Sequence, residues 1–433
     1  MFKPLYNKLH VFVRKLGPSA LGLLLLVFTL LGLQAQNRIN MPYSIYGVGE
    51  VRFNEYHQNM GMAGLSQAYR SNMSVNDVNP ASYTATDSTS FIFEITALTH
   101  FYEQKTSQVS QQSDYISLGN ISFSFPVTSW WAVGAGIKPY SLVGYRIRDF
   151  EEHPLAGKVN YLYEGNGGLN QLFLGTAINP VGELSLGINA SYVFGNFSHE
   201  ATVVSDTVYM FRTNSLNTSD AKGWMMGLGL QYQFKFSQYR QLTLGATYGR
   251  QGELNLNASE TLRRRQPGVF AYDTIVHREL ERGTLSLPQY YGAGIFANIN
   301  RNWAAGIDYQ WQNWDSFAIT GQSTHFNNSY RFSTGIQYSP IAETYSSFFH
   351  RMRYTAGFKY GQSYLNDNND PLNEFGITFG VHIPVRLALS GIKVGFEFSQ
   401  RGSVDNNAMQ ENFYRINIGL NIYERWFVRR LFF

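Results

Sequence analysis

The chain has 433 residues, no cysteine and a formal charge of +4, from 34 Lys and Arg against 30 Asp and Glu. Charged residues make up only 15% of it, whereas soluble domains usually contain about 25%. The absence of cysteine excludes disulfides and thiolate metal sites. The surplus positive charge lies at the N-terminus, at Lys3, Lys8, Arg14 and Lys15, so the balance does not indicate nucleic-acid binding.

Residues 1–35 have the pattern of an export signal. The basic stretch is followed by an apolar run from Ser19 to Leu33, and Ala35 provides a small residue for cleavage before Gln36. The alternative is a retained transmembrane helix, because the apolar run nearly reaches the ~18 residues that span a bilayer. We therefore predict an exported protein.

Residues 36–88 form the next predicted unit, and they do not alternate between apolar and polar positions. The segment is rich in glycine and mixed in character, and it is too apolar for a disordered tail. We predict that it is a hatch, or plug, inside the lumen of a barrel formed by residues 89–433. A small periplasmic subdomain is the alternative.

Period-two alternation dominates the remainder of the chain. In "WMMGLGLQYQFKF", Trp224 and every second residue after it are apolar, while the other face carries Gly, Gln and Lys. A soluble sandwich would also alternate, but its polar face would carry more Lys and Glu. An exported chain rich in Tyr, Phe and Gly predicts an all-β fold, a transmembrane antiparallel β-barrel.

We count fourteen candidate strands, an even number as bacterial barrels require. Their predicted ranges are 89–104, 114–126, 130–150, 159–179, 183–206, 221–237, 240–258, 284–299, 302–320, 328–339, 350–363, 373–384, 390–401 and 411–423. Short turns alternate with long polar loops, among them 206–220 and 258–283, which predicts that both termini are periplasmic. The aromatic C-terminus, ending in Phe433, is typical of chains that the barrel-insertion machinery recognises.

A resemblance to a known family is visible in "NMGMAGLSQAYRSNMSVNDVNPASY". It resembles the hatch of the FadL family, outer-membrane channels for long-chain fatty acids and aromatic hydrocarbons. The matching hatch residues, which the resemblance assigns to substrate passage, are Gly61, Ala63, Gly64, Asn79, Pro80 and Ala81. The segments "YEGNGGLNQLFLGTAINP" and "LSLPQYYGAGIFANINRNWAAGIDYQWQNW" also resemble strands of that family.

The predicted third strand contains Pro139, which cannot donate to a β-ladder and indicates a kink or a bulge. It is flanked by Gly134, Gly136 and Gly144. In the FadL family the third strand is kinked inward and leaves a gap in the wall for lateral exit of substrate. The resemblance implies the same here; the alternative is a bulge that sets the register without a transport role.

The sequence contains no recognisable enzyme site. The nine histidines have no metal-ligand spacing, and no G-x-S-x-G nucleophile motif or dinucleotide motif stands in the required context. We therefore predict no catalytic residue, no metal and no cofactor. The lumen charges Asp308, Arg353, Lys359, Lys393, Glu397 and Arg415 are predicted to form a paired network.

These observations lead to a first hypothesis of passive uptake of hydrophobic compounds, such as long-chain fatty acids, across a Gram-negative outer membrane. The alternatives are a general diffusion porin and a non-transport partner of a protein-secretion machine, which would bind another envelope protein. Lipopolysaccharide is a further expected partner, because Arg263 to Arg265 could bind its phosphates. A solvated loop is the other reading of these arginines, and no nucleic-acid partner is expected.

Overall fold

The computed structural model describes residues 40–426, apart from 53–56, 155–156, 206–210, 267, 321–325, 341–346, 368–369, 386–389 and 408. The predicted signal, the aromatic C-terminus after Trp426 and most of the long turn after Pro340 lie outside the described residues. Among the described residues, no helix is long and apolar enough to cross a membrane.

Fourteen antiparallel strands, β1 to β14 in chain order, form a closed wall. The strands β1 to β6 are Ser90–Lys105, Ser110–Pro126, Trp131–His153, Gly157–Val181, Leu184–Ser205 and Arg212–Lys235. β7 consists of Gln241–Gly249 and Gly252–Arg265, β8 of Asp273–Glu279, Gly283–Leu287 and Gln289–Asn298, and β9 of Trp303–Asn313 and Ala318–Ile319. The strands β10 to β14 are Ser329–Tyr338, Arg353–Asp367, Asp370–Pro384, Gly391–Arg401 and Gln410–Arg425.

The barrel closes where β14 pairs with β1, from Gln410↔Lys105 to Arg425↔Ser90. A closed wall satisfies the backbone hydrogen bonds that an open sheet edge would leave unpaired in lipid. The predicted fold class and strand number are confirmed.

The outer surface of the wall is apolar. In β6, Trp224, Leu228 and Phe234 are exposed, and Gln231 between them is buried inside. Aromatic side chains also pair across neighbouring strands of the wall, as Trp224 with Tyr192 and, near the other end of the strands, Trp303 with Tyr338. This is the pattern of a barrel in a membrane.

Two of the predicted outside loops are in large part strands, so that prediction was wrong. β6 already begins at Arg212, and β7 and β8 continue as a hairpin through Gly252–Arg265 and Asp273–Glu279. These portions extend beyond the apolar band. Because water and not lipid surrounds them, both of their faces carry polar residues and the alternation that marks a strand is lost.

The described N-terminal segment, residues 40–52 and 57–88, lies inside the barrel. It forms the 3-10 helices Pro42–Ile45, His57–Met62 and Pro80–Ala85 and a two-residue strand, Glu50–Val51, which we call the plug strand. The helices pack against wall strands on different sides of the lumen, from β2 to β6 and from β10 to β14. The boundaries of the predicted hatch and its ability to move stay predictions.

Part of the lumen is apolar. A large apolar cluster joins the N-terminal segment to the inner faces of most strands between β3 and β12. Its members include Tyr43, Val48, Tyr140, Val143, Leu169, Val193, Met225, Leu254, Leu285, Trp314, Phe326 and Tyr364. The lumen is therefore filled by packed side chains as well as by polar contacts.

Candidate functional site

The wall is interrupted between β2 and β3. Their ladder runs only from Ile121↔Ile137 to Pro126↔Ala132, although β3 continues to pair with β4 as far as His153. Beyond Ile137, the described residues of β2 and β3 are not register partners. We call this interval the β2–β3 gap.

A bulge in β3 begins at the predicted proline, next to the gap. Pro139 is opposite Asn170 and Ser141 is opposite Leu169, so that Tyr140 is the extra residue. The missing N–H of proline is tolerated at such an irregularity. Tyr140 is buried in the apolar cluster. The bulge predicted at Pro139 is therefore present.

The plug strand occupies the position beside β3 that β2 has left. It pairs antiparallel with β3 through Glu50↔Leu142 and Val51↔Ser141. The backbone N–H of Arg52 donates to the carbonyl of Tyr140 at 2.9 Å. The N-terminal segment thus supplies part of the hydrogen bonding that a continuous wall would supply.

Gly144, one of the predicted residues, is a second anchor for the N-terminal segment. Its carbonyl accepts from the backbone N–H of Met41 at 2.6 Å, and its own N–H donates to the Ser44 hydroxyl at 3.0 Å. Farther along β3, the N–H of Arg146 donates to the side-chain oxygen of Asn40 at 3.0 Å. The edge of β3 that does not pair with β2 is therefore hydrogen-bonded to the N-terminal segment inside the barrel.

Arg52 connects this arrangement to the other side of the gap. Its guanidinium donates to the Tyr115 hydroxyl of β2 at 2.9 Å and lies 3.2 Å from Nε2 of His100 in β1. The rings of His100 and Tyr115 are stacked, with centroids 4.3 Å apart. Because its backbone is bound to β3, Arg52 bridges both margins of the gap.

An ionic network holds the same region from the opposite side. Arg401 of β13 binds the Glu50 carboxylate at 2.8 and 2.7 Å and lies 2.6 Å from that of Glu411. Lys359 lies 3.0 and 2.8 Å from the carboxylates of Glu374 and Glu397. Pairing of buried charges offsets their desolvation.

The structure therefore confirms part of the predicted lumen network. Lys359, Lys393, Glu397 and Arg415 form ion pairs as predicted. The buried Nε of Arg353 has no hydrogen-bond partner among the described residues. Asp308 instead accepts from the backbone N–H groups of Ser66 and Gln67, at 2.5 and 2.9 Å. It thus holds the N-terminal segment to β9. A cavity of about 80 Å³ lies between this network and Arg52.

The predicted hatch residues fall into two groups. Gly61, Ala63 and Gly64 form a turn beside β11 and β12, where the N–H of Ala63 donates to the Thr378 hydroxyl at 2.9 Å. Ala63 has a φ of 52° and Gly64 one of 71°, a left-handed conformation that glycine adopts readily. This group is not in contact with Pro139 among the described interactions.

The second group lies against β5 and β6. Asn79 caps the helix Pro80–Ala85 by accepting from the N–H of Ala81 at 3.1 Å. Its side-chain amide donates to the carbonyl of Gln67 at 2.6 Å. A Cβ on Gly187 of β5 would overlap the Pro80–Ala81 backbone, so this wall glycine allows the close approach.

The two remaining predicted glycines also accommodate neighbours in the lumen. A Cβ on Gly134 would lie 2.8 Å from the ring of Tyr83, which follows the second group. A Cβ on Gly136 would meet the Phe173 ring and the Ile121 carbonyl. These positions therefore support packing near the start of the gap and are not themselves part of the bulge.

A buried arginine of the N-terminal segment is held by neutral groups. Arg70 donates to the hydroxyls of Ser185 and Thr84 at 3.0 and 2.9 Å. Burial lowers the pKa of Arg70 to about 10, so it remains charged at neutral pH. It fixes the end of the segment to β5.

Sequence reasoning missed the residues that close the gap, namely Glu50, Arg52, His100, Tyr115 and Arg401. Their partners are distant in the chain, and a two-residue strand is too short to give a periodic pattern. No group of three or more His, Asp or Glu suited to a metal ion occurs in the described part of the chain.

Comparison with solved structures agrees with the architecture. The toluene transporter TodX of Pseudomonas putida has 15% identity and a TM-score of 0.58, over 89% of this chain and 99% of that chain. The monoaromatic hydrocarbon channel CymD has 14% identity and a TM-score of 0.56, over 87% and 97%. A FadL homologue of Pseudomonas aeruginosa has 10% identity and a TM-score of 0.52, over 86% and 98%.

These likenesses, at low identity, establish a common outer-membrane barrel fold. The names of those proteins are those of a transporter, a channel and a FadL homologue. No curated protein has a significant sequence match to it. The FadL-like resemblance is supported in part: the solved relatives include a FadL homologue, while the family model that matches residues 19–432 is that of BamG and not of FadL itself. The chain belongs to the BamG family.

Proposed function

We propose that this barrel takes up hydrophobic compounds across the outer membrane and releases them sideways through the β2–β3 gap. The observation that carries the proposal is the replacement of β2 by the plug strand as the partner of β3. The plug strand, the bonds of Met41, Ser44 and Asn40 to β3, and the contacts of Arg52 replace the regular wall ladder there. Opening of the gap requires these contacts to break and leaves the rest of the wall ladder intact.

The chemistry next to the gap suits an apolar substrate. Tyr140 and Val143 of β3 and Val48 of the N-terminal segment belong to the apolar cluster in the lumen. An apolar chain gains about 0.8 kcal/mol for each methylene group that leaves water. A lateral route from these side chains into lipid keeps that gain, whereas passage through an aqueous pore would forfeit it.

Likeness of fold supports the same class of substrate. TodX and CymD are named as a toluene transporter and a monoaromatic hydrocarbon channel. Long-chain fatty acids are the substrate class that we would test first, followed by toluene. The filled lumen argues against the alternative of a general diffusion porin.

The test is a reversible lock on the gap. Val51 and Ser141 are register partners, and the native chain has no cysteine, so Val51→Cys with Ser141→Cys offers a single disulfide between the plug strand and β3. Uptake of a fluorescent long-chain fatty acid would be measured in cells that lack their own hydrophobic channel. We expect oxidation to reduce uptake and a reductant to restore it.

The matched control is a disulfide within the permanent wall. Ile377 and Phe398 are register partners in β12 and β13, and Ile377→Cys with Phe398→Cys should leave uptake unchanged when oxidised. Uptake that is equal in the oxidised and reduced plug-strand variant would contradict lateral release at this position. Correctly inserted protein that gives no uptake of either probe would contradict transport altogether.

A non-transport role in barrel assembly or secretion is the second candidate. It is favoured by membership of the BamG family, which suggests a relation to barrel assembly, and by the dense filling of the lumen. Specific co-purification of a barrel-insertion or secretion subunit, together with no uptake, would select this role. Lipopolysaccharide remains a proposed partner of Arg263 to Arg265, although Arg264 already pairs with Asp273 at 3.4 Å.

A further inference from the structure

Three basic side chains lie in one row across the inner face of the wall. Arg353 of β11 is the register partner of His382 of β12, and His382 is the partner of Lys393 of β13. Like charges on neighbouring strands destabilise a sheet. The charges of Arg353 and Lys393, on either side of His382, therefore call for nearby negative charge.

The described protein provides one carboxylate for this row. Glu94 lies 3.8 Å from the Lys393 ammonium, and it also accepts from the Val75 N–H and the Asn421 amide at 3.0 and 2.9 Å. Arg353 has a buried Nε without a hydrogen-bond partner among the described residues. Arg353 is thus the basic group of the row with the least compensation.

The contrast with the network near the gap is informative. There, Lys359 lies between the carboxylates of Glu374 and Glu397, and Arg401 lies between those of Glu50 and Glu411. These two buried cations are thus paired with acidic side chains, whereas Arg70 is held by neutral groups. Arg353 forms no ion pair with an acidic side chain among the described residues, and it lies at the end of the barrel that is predicted to be periplasmic.

A cavity of about 30 Å³ adjoins all three basic residues and is lined on the other side by residues 57–61 of the N-terminal segment. A water molecule needs about 10–15 Å³ of such volume, so the space suits one small ion. We propose that Arg353, His382 and Lys393 form a binding site for a small monovalent anion of the size of chloride or bromide.

An anion in this position would connect the wall to the N-terminal segment. Lys393 already donates to the Ser74 hydroxyl of that segment, and the cavity is lined by His57 to Gly61. An anion there would offset the repulsion between Arg353 of β11 and Lys393 of β13. The ion would thereby stabilise the seated segment, and this inference does not depend on the proposed function.

The test uses bromide and the full mature chain in detergent. Crystals soaked in bromide should give an anomalous peak between the three side chains. The melting temperature should be several degrees higher in sodium bromide than in sodium gluconate of equal ionic strength, because bromide, unlike gluconate, has the size of the proposed ion. Arg353→Gln should lose this difference between the two salts.

Arg146→Gln is the matched control, since Arg146 lies toward the opposite end of the barrel with its side chain 47% exposed; it should retain the bromide effect. If Arg353→Gln fails to fold, Lys393→Gln and the measurements on the unsubstituted chain still decide the question. Absence of the anomalous peak, or equal melting temperatures in the two salts, would overturn the proposal. A peak without a thermal effect would indicate an adventitious ion only and would overturn it as well.

Discussion

At the scale of single residues, small side chains on the inner wall determine how closely the N-terminal segment can approach. Gly187 lies under the Pro80–Ala81 peptide, and Gly229 lies under Asn79 and Pro80. Neither glycine has a Cβ, and a Cβ at either position would overlap the N-terminal segment. The hydrogen bonds of Asn79 and Asp308 then fix the position that these glycines make available.

Gly187→Ala should destabilise the protein by about 1–3 kcal/mol, the usual cost of overpacking. The added methyl group would overlap backbone, which cannot move aside as a flexible side chain can. Urea unfolding in detergent would measure the loss. Gly182→Ala is the control, because a Cβ there meets no atom within 4 Å; equal losses in the two variants would refute this explanation.

At the scale of elements, β3 pairs fully with β4 but only in part with β2. Its exposed edge binds the plug strand, and Arg52 extends that contact to β1 and β2. A hydrogen bond to a charged group contributes about 1.5–3 kcal/mol. The guanidinium of Arg52 is therefore a substantial part of what holds the gap closed.

Arg52→Gln should loosen the plug strand, because the shorter neutral side chain loses its contacts with Tyr115 and His100. In the cysteine-free chain, Val51→Cys provides a single reporter for maleimide labelling. We expect labelling to accelerate about tenfold when Arg52→Gln is added, which corresponds to about 1.4 kcal/mol. Arg146→Gln, a change farther along β3, should leave the rate as it was. An unchanged rate in Arg52→Gln would show that other contacts hold the strand.

At the scale of the whole molecule, the wall divides apolar residues between lipid and lumen. Phe379 in β12 is 58% exposed and Phe270 in the β7–β8 loop is 94% exposed, yet their surroundings differ. Phe379 belongs to the apolar band of the outer surface, and Phe270 lies beyond it. Exposure alone does not tell these two environments apart; position in the barrel does.

Phe379→Lys should destabilise the inserted barrel by about 2–4 kcal/mol, the cost of a cation near the middle of the bilayer. Phe270→Lys should change stability little, because water surrounds that loop. Unfolding in lipid vesicles and the heat-dependent shift of the folded band in gel electrophoresis would measure both. Similar losses for the two substitutions would contradict the assignment of the apolar band.

The sequence predicts the features of this protein that depend on neighbouring residues, and it does not predict contacts between residues that are distant in the chain. Alternation is local, so "WMMGLGLQYQFKF" identifies β6 within the membrane and the regular series of such segments identifies a fourteen-stranded barrel. Pro139 identifies the irregularity in β3, because proline lacks a backbone N–H wherever it lies. The same reasoning failed at Arg212 and Asp273, where strands continue into water and alternation ends.

Tertiary structure alone decided what meets the irregular edge of β3. Glu50 and Arg401 are far apart in the chain and carry no local signal of their pairing. The same is true of Arg52 with His100 and Tyr115. Local composition determined that the wall is a membrane barrel, because every strand has one face toward lipid and the other toward the lumen. Closure of the barrel determined the contacts of the gap and the Arg353 row, because only closure brings these distant strands and the N-terminal segment together.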